Sequence, residues 1–275
     1  VSASRGEYVT DMSAYTEEQK KTLEEYIKNN VEAGLELSWY FAPVGEAGCG
    51  GKEDVLMPAA SLIKIAVMIE AFRRKKEGTL DFSECLTVND VVEGGSFYIK
   101  RRDDSVPIYE LIFHMITESD NTCTNMLIRS LGVERINETV RSFGLVKTKL
   151  RRHMMDFEAT RRGEENTTTM RETSELLSLL AQGRCVGPTE DRAMIEILAA
   201  QEDNCLLPAQ LPHNLTVAHK TGQLEGLFHD CGIIYGRKKP LICAIGARNV
   251  TAESRTVWEL AYFVRYAYDV LTAGT

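Results

Sequence analysis

Nowhere is the chain apolar for the roughly 20 residues that a membrane-crossing helix needs. Its longest uncharged apolar runs, such as Leu241 to Ala247, fall far short of that. There is no Cys-x-x-Cys pair, and the seven cysteines (49, 85, 123, 185, 205, 231 and 243) are odd in number. That argues against a full disulfide framework and a zinc ribbon, and leaves reduced, buried thiols as the expectation. No internal repeat or low-complexity tract is present, so a solenoid is excluded. Positive charge is also in deficit, with 32 Lys and Arg against 40 Asp and Glu for a net −8. Such a surface repels a phosphate backbone, and nucleic acid is not an expected partner. No charged-then-apolar leader opens the sequence at Val1, so the expected location is cytoplasmic, or exported after removal of a leader. What is there is ordinary globular material: 275 residues, 44% apolar and 26% charged, enough to bury a large core.

The pattern along the chain changes twice. Thr16 and Gln19 stand in capping-box positions ahead of Leu23, Tyr26, Ile27 and Val31 at helical spacing, which predicts an amphipathic helix over 16–33 packed on a sheet. Leu35 to Phe41 reads as a strand that breaks at Pro43 and a glycine cluster. That cluster lacks the Lys-Ser/Thr of a phosphate loop and is read as a hairpin turn. Helical spacing then runs from Ser61 to Glu77, closed by Arg73, Arg74, Lys75 and Lys76, cations suited to the carbonyl end of a helix dipole. Further helices are expected at 107–118, 122–131, 133–143, 168–182 and 188–201. Strands follow at 215–219, 228–235 and 241–247, then a last helix at 252–272. The expected fold class is mixed α/β: an antiparallel sheet flanked by N- and C-terminal helices plus an all-helical domain. Residues 1–58 and 216–275 form the discontinuous sheet domain, 59–215 the helical insertion, and the active site lies between them.

Three short motifs fall in order: Ser61-Leu62-Ile63-Lys64, Ser119-Asp120-Asn121 and Lys220-Thr221-Gly222. A lone Ser-x-x-Lys arises about once by chance in a chain this long, but all three in order arise in roughly one chain in a hundred or fewer. Ser61 opens a helix, where free N–H groups favour developing negative charge. Lys64 at i+3 shares its helix face, so an amine is within reach of the hydroxyl. A serine hydroxyl is a weak nucleophile until a base takes its proton, and a lysine does so only as a neutral amine. Burial and a second cation, for which Lys220 is the candidate, would favour that form. Ser119, Asp120 and Asn121 lie between two helices, where they also suit an N-cap. Lys220 to Gly222 end a strand, with a positive charge, a hydroxyl and a glycine that permits close approach.

With these motifs the chain resembles the class A branch of serine β-lactamases and, more broadly, the DD-peptidase fold, over residues 16 to 272. The resemblance implies that Ser61 is the acylated nucleophile and Lys64 its proton partner. Ser119 would relay a proton to the departing nitrogen and Asn121 would bind the substrate amide. Lys220 and Thr221 would hold the substrate carboxylate, Gly222 would let the strand approach, and the N–H groups of Ser61 and Gln223 would form the oxyanion hole. Substrate range would depend on loops at 94–104 and 223–230. The implied partner is a small molecule, a β-lactam or a D-alanyl peptide or ester, met by a monomer without a cofactor.

One departure stands out. Where the family carries Arg-x-Glu-Pro and, shortly after, an Asn, with a Glu that activates the deacylating water, this chain reads Arg152-His153-Met154-Met155-Asp156-Phe157-Glu158. Anchoring on Arg152 puts Met154 at the Glu position, and Met cannot take a proton. Glu158, where the family has Asn, is the expected relocated general base, with Asp156 as second choice. A DD-peptidase or esterase, or a sensor that stays acylated, are the alternatives. His219 is expected to pack on the face opposite Lys220; His229 and Asp230, close to the third motif, are only a minor candidate for ligand contact.

Overall fold

The Thr16 hydroxyl accepts from Gln19 N–H at 3.1 Å while the Gln19 side chain accepts from Thr16 N–H at 3.0 Å, so the expected capping box starts helix α1 (Glu17–Asn30). The structure is a computed structural model and describes residues 13–96, 103–236 and 239–273. Residues 1–12, with which the expected sheet domain begins, and 97–102, inside the expected specificity loop, lie outside the described residues. Strand β1 (Glu36–Pro43) turns through the glycine cluster into β2 (Cys49–Gly51), with Trp39 opposite Gly51. The hairpin reading of that cluster holds.

The C-terminal part supplies β7 (Thr216–Leu224), β8 (Leu227–Tyr235) and β9 (Leu241–Arg248), which join β1 and β2 in one five-stranded antiparallel sheet of order β2-β1-β9-β8-β7. Strand β7 runs on past His219 to Leu224 because Gln223 and Leu224 pair with Phe228 and Leu227, so Lys220 to Gly222 sit within the strand rather than at its end. Both sheet faces are covered. On one, α1 and the final helix α9 (Glu253–Thr272) enclose Leu23, Trp39, Phe41 and Ile245. There the Phe263 ring meets Trp39 at 5.8 Å and Phe41 at 5.9 Å, both edge-on, and its truncation to Ala would cost about 3–5 kcal/mol. On the other, Ala218, Cys231, Ile233, Ile242 and Ala244 share a cluster with the helical part. With both faces covered, β8 and β9 are buried almost end to end, and β9 reads as a continuous apolar run up to Arg248 instead of an alternating one.

Between the sheet segments lie β3 (Met57–Pro58), a 3₁₀ turn (Ala60–Ile63), α2 (Lys64–Lys76), β4 (Cys85–Thr87) and β5 (Ser105–Pro107). Helices α3 (Ile108–Thr117), α4 (Asn121–Leu131), α5 (Val133–Ser142) and the short α6 (Phe157–Arg161) follow. Then come β6 (Thr167–Thr168), α7 (Met170–Ala181) and α8 (Pro188–Ala199). Helix α2 is buried along most of its length. Its buried Glu70 accepts from Arg73 at 2.8 Å and from the Thr139 hydroxyl of α5 at 2.6 Å; removing it would leave the buried Thr139 hydroxyl unpaired at about 1–3 kcal/mol. All seven cysteines are free; four are buried as expected, but Cys85 and Cys205 are exposed. Among the described residues no helix is long and apolar enough to cross a membrane.

Candidate active site

Ser61 sits in the 3₁₀ turn ahead of α2, not in an α-helical first turn as expected. Three residues per 3₁₀ turn bring positions i and i+3 into line, and Lys64 N–H donates to the Ser61 carbonyl, so the two side chains leave the backbone on one side. Ala60, just before, has φ +46°, a left-handed conformation costly for a residue with a side chain. The turn is gripped from two directions: Ala59 N–H donates to Asn166 carbonyl at 2.7 Å, and the His229 ring bonds the Pro58 carbonyl at 2.8 Å.

The second motif divides its labour. Asp120 is the N-cap of α4, accepting from Cys123 N–H at 2.9 Å, so the capping reading is right for this residue. Ser119, held at φ +58°, and Asn121 turn instead to the lysine. The fully buried Lys64 Nζ donates to Ser119 carbonyl at 2.6 Å and to Asn121 Oδ1 at 2.8 Å, and lies 3.2 Å from Ser119 Oγ. Two acceptor-only oxygens use the two N–H groups of a neutral amine, and its lone pair is left for a hydroxyl proton. Burial holds the Lys64 ammonium well below the ordinary lysine range, Lys220 nearby adds to this, and Asp120 opposes it.

Strand β7 closes the other side as the outer strand of the sheet. A Cβ on Gly222 would stand 3.3 Å from Ala60 Cβ and 3.4 Å from Ser61 N, tight enough that a glycine allows the strand to lie against the nucleophile's turn. Lys220 is fully buried, donates to the Thr221 carbonyl at 2.9 Å, and is pushed down by burial to about 8, with Asp230 pulling the other way. Ser61, Ser119, Asn121, Thr221 and Gln223 line one cleft of ≈ 720 Å³, joined by Gly94 to Ser96, Glu118 and Gln201 to Asp203. The Gly94 carbonyl accepts from Asn121 N–H at 3.0 Å, the Glu93 carbonyl from Asn121 Nδ2 at 2.8 Å, and Ser96 donates to Glu118 at 2.5 Å, so this wall is tied to the second motif.

Eight of the nine expected site residues therefore converge: Ser61, Lys64, Ser119, Asn121, Lys220, Thr221, Gly222 and Gln223. Glu158 does not. Residues 156–161 wind into α6, whose N-cap is Asp156, and the winding turns Glu158 outward onto Arg161 with its side chain 74% exposed. Neither Glu158 nor Asp156 is among the cleft's lining residues, which corrects the expectation of a relocated base. His229 and Asp230 are also buried and bonded elsewhere, not lining the cleft. The loop of 150–166 is closed by Arg152, which bonds Glu165 at 2.7 Å, and by Asn166 Oδ1, which accepts from Arg151 and Arg152 N–H. The sequence reading missed Asn125 on α4, whose side chain binds the Met154 backbone, and the pairing of His219 with Asp230. Neither belongs to a local motif, because both partners come from distant segments.

Comparison with known proteins agrees with this geometry. The family model described as "Beta-lactamase enzyme family" matches residues 19–261. The extended-spectrum beta-lactamase PER-1 of Pseudomonas aeruginosa is 24% identical over 220 residues, 72% of this chain and 70% of that protein. Among solved structures, a beta-lactamase from Sphaerobacter thermophilus superposes with TM-score 0.83 at 21% identity, covering 91% of this chain and 97% of its own. A leucine-to-glutamate mutant of PBP-A, in an acyl-enzyme complex with penicillin G, superposes with TM-score 0.81 at 25% identity, covering 92% and 96%.

Proposed function

This chain belongs to the beta-lactamase enzyme family, and from that premise we propose that it is a serine hydrolase that opens the β-lactam amide through an acyl-enzyme on Ser61. The observation that carries the reading is the three-way bonding of the buried Lys64 amine, which is pre-set to accept a proton. Lys64 takes the Ser61 proton as Oγ attacks the lactam carbonyl. Ser119, in contact with the same amine, hands a proton to the departing nitrogen. The N–H groups of Ser61 and Gln223 receive the oxyanion, worth about a hundred- to a thousandfold in rate for each donor. Asn121 orients the substrate amide, and Lys220 with Thr221 binds its carboxylate. The division into a discontinuous sheet domain and a helical insertion, with the cleft at their seam, is part of the same proposal.

A specific observation favours a second reading of the last step. The 150–166 loop contributes no carboxylate to the cleft lining among the described residues, and Met154 occupies the position where the family carries its water-activating Glu. Hydrolysis of the adduct is then slower than its formation, and the protein behaves as a penicillin-binding protein with residual turnover, or as a DD-peptidase or esterase of the same fold.

Mixing the protein with a chromogenic cephalosporin while following colour and intact mass tests both. Steady colour release supports the hydrolase, a persistent Ser61 adduct supports the slow-turnover reading, and neither points to peptide or ester substrates. A Ser61→Ala variant that still turns over the cephalosporin refutes every covalent scheme.

A further inference from the structure

Residues 201–203 line the cleft, and the segment 201–207 runs without helix or strand, yet each end is anchored. At one end Gln201 donates to the Ile116 carbonyl at 2.8 Å, and Glu202 N–H donates to the Thr117 carbonyl at 3.1 Å. The Gln201 side-chain oxygen also accepts from Glu202 and Asp203 N–H at 3.0 and 3.1 Å. At the other end Asn204 Nδ2 donates to the Gln201 and Glu202 carbonyls, which turns Asn204 Oδ1 toward His219 Nε2 at 3.3 Å. The His219 ring bonds Asp230 through Nδ1 at 2.9 Å, and the second oxygen of Asp230 accepts from Leu207 N–H at 3.0 Å. Both His219 and Asp230 are fully buried. His219 precedes Lys220 on β7 and projects from the opposite face, while Asp230 stands across the ladder from Thr221.

We propose that His219 and Asp230 are positioning residues for substrate binding: one buried pair hangs the Gln201–Leu207 segment on strand β7, with the Asp230 carboxylate across the ladder beside Lys220. The inference rests on the reading of Lys220 as the carboxylate-binding cation. Lys220 is also faced by Lys64, Asp203 and Cys231, and Asp230 by Cys205, Cys231 and Cys243 besides His219. Of these, Asp230 acts most strongly against the effect of burial on Lys220.

The test compares the parent, Asp230→Asn, His219→Ala and His219→Gln, with folding of each verified by circular dichroism and thermal unfolding. Two readouts are taken: NMR titration of the Lys220 side chain, which needs no activity, and the pH and concentration dependence of Ser61 acylation by a chromogenic cephalosporin. Asp230→Asn is expected to lower the Lys220 midpoint and the alkaline limb of acylation by about one pH unit. His219→Ala is expected to raise the half-saturating concentration about tenfold with a smaller change in limiting rate, and His219→Gln to restore most of it. An unchanged Lys220 midpoint in folded Asp230→Asn, or parental saturation in folded His219→Ala, overturns the proposal. Should Asp230→Asn fail to fold, the saturation of folded His219→Ala decides in its stead, a half-saturating concentration equal to that of the parent being the overturning result. If the parent is not acylated at all, the proposed function fails and the NMR titration alone decides the inference.

Discussion

Asn125 holds Met154 by the backbone from both directions: its Oδ1 accepts from Met154 N–H at 2.7 Å and its Nδ2 donates to the Met154 carbonyl at 3.0 Å. Both groups are buried, and the Met154 side chain is packed in the helical core. The clamp grips the main chain, so it fixes this point of the loop whatever side chain stands there.

Met154→Glu is therefore expected to present a carboxylate at the position where related enzymes carry one, and to shorten the lifetime of the Ser61 adduct by about a hundredfold. Burying a carboxyl there lowers the melting temperature as well. Decay of the adduct mass after rapid removal of free cephalosporin measures the first effect, and a lifetime equal to the parent's contradicts it.

Glu158→Gln is expected to leave both acylation and adduct decay within about twofold of the parent, since an exposed ion pair of this kind is worth little. A tenfold slower decay would return Glu158 to the catalytic machinery.

The acylation rate should pass through a maximum with pH. Lys64 acts as the neutral amine, so the rate climbs as pH rises through its lowered pKa. Lys220 acts as the ammonium, so the rate falls as pH passes about 8. A substrate without a carboxylate loses the alkaline limb and keeps the acid one, which stopped-flow measurements on paired esters and acids would reveal.

His229 predicts a pH dependence of stability rather than of rate. Burial pushes its pKa down from 6.5 to about 4, so between those values the unfolded chain binds a proton that the folded one refuses. Stability is fully present above pH 6.5 and is lost as pH falls toward 4, by on the order of 3 kcal/mol. Urea unfolding at pH 7, 5.5 and 4 measures this loss, and His229→Phe should remove that part of the slope.

Ser61, Lys64, Ser119, Asn121 and Lys220 are legible in the sequence because acyl transfer demands particular groups at short fixed spacings, and those spacings are local. The helices are legible for a similar reason: Thr16 with Gln19 and the apolar stripe of α2 declare themselves within a few residues. Glu158 misleads because a carboxylate at the right sequence distance says nothing of its direction, and the cap supplied by Asp156 winds it away from the cleft. His219 misleads in the other sense. Strand alternation correctly sends it to the face opposite Lys220, but the carboxylate it meets there comes from the next strand and the amide from the 201–207 segment. The positive φ angles of Ala60 and Ser119 are set by tertiary contacts, and neither residue type announces them.

The nucleophile's turn, the second motif and the outer strand reach the cleft from three remote stretches of chain, and the seam at Gly222 leaves little slack between two of them. No fragment or half-collapsed species can assemble that geometry. Covalent capture of a labelled penicillin would thus count native molecules in a mixed population, and its time course during refolding would report the final docking of sheet on helices.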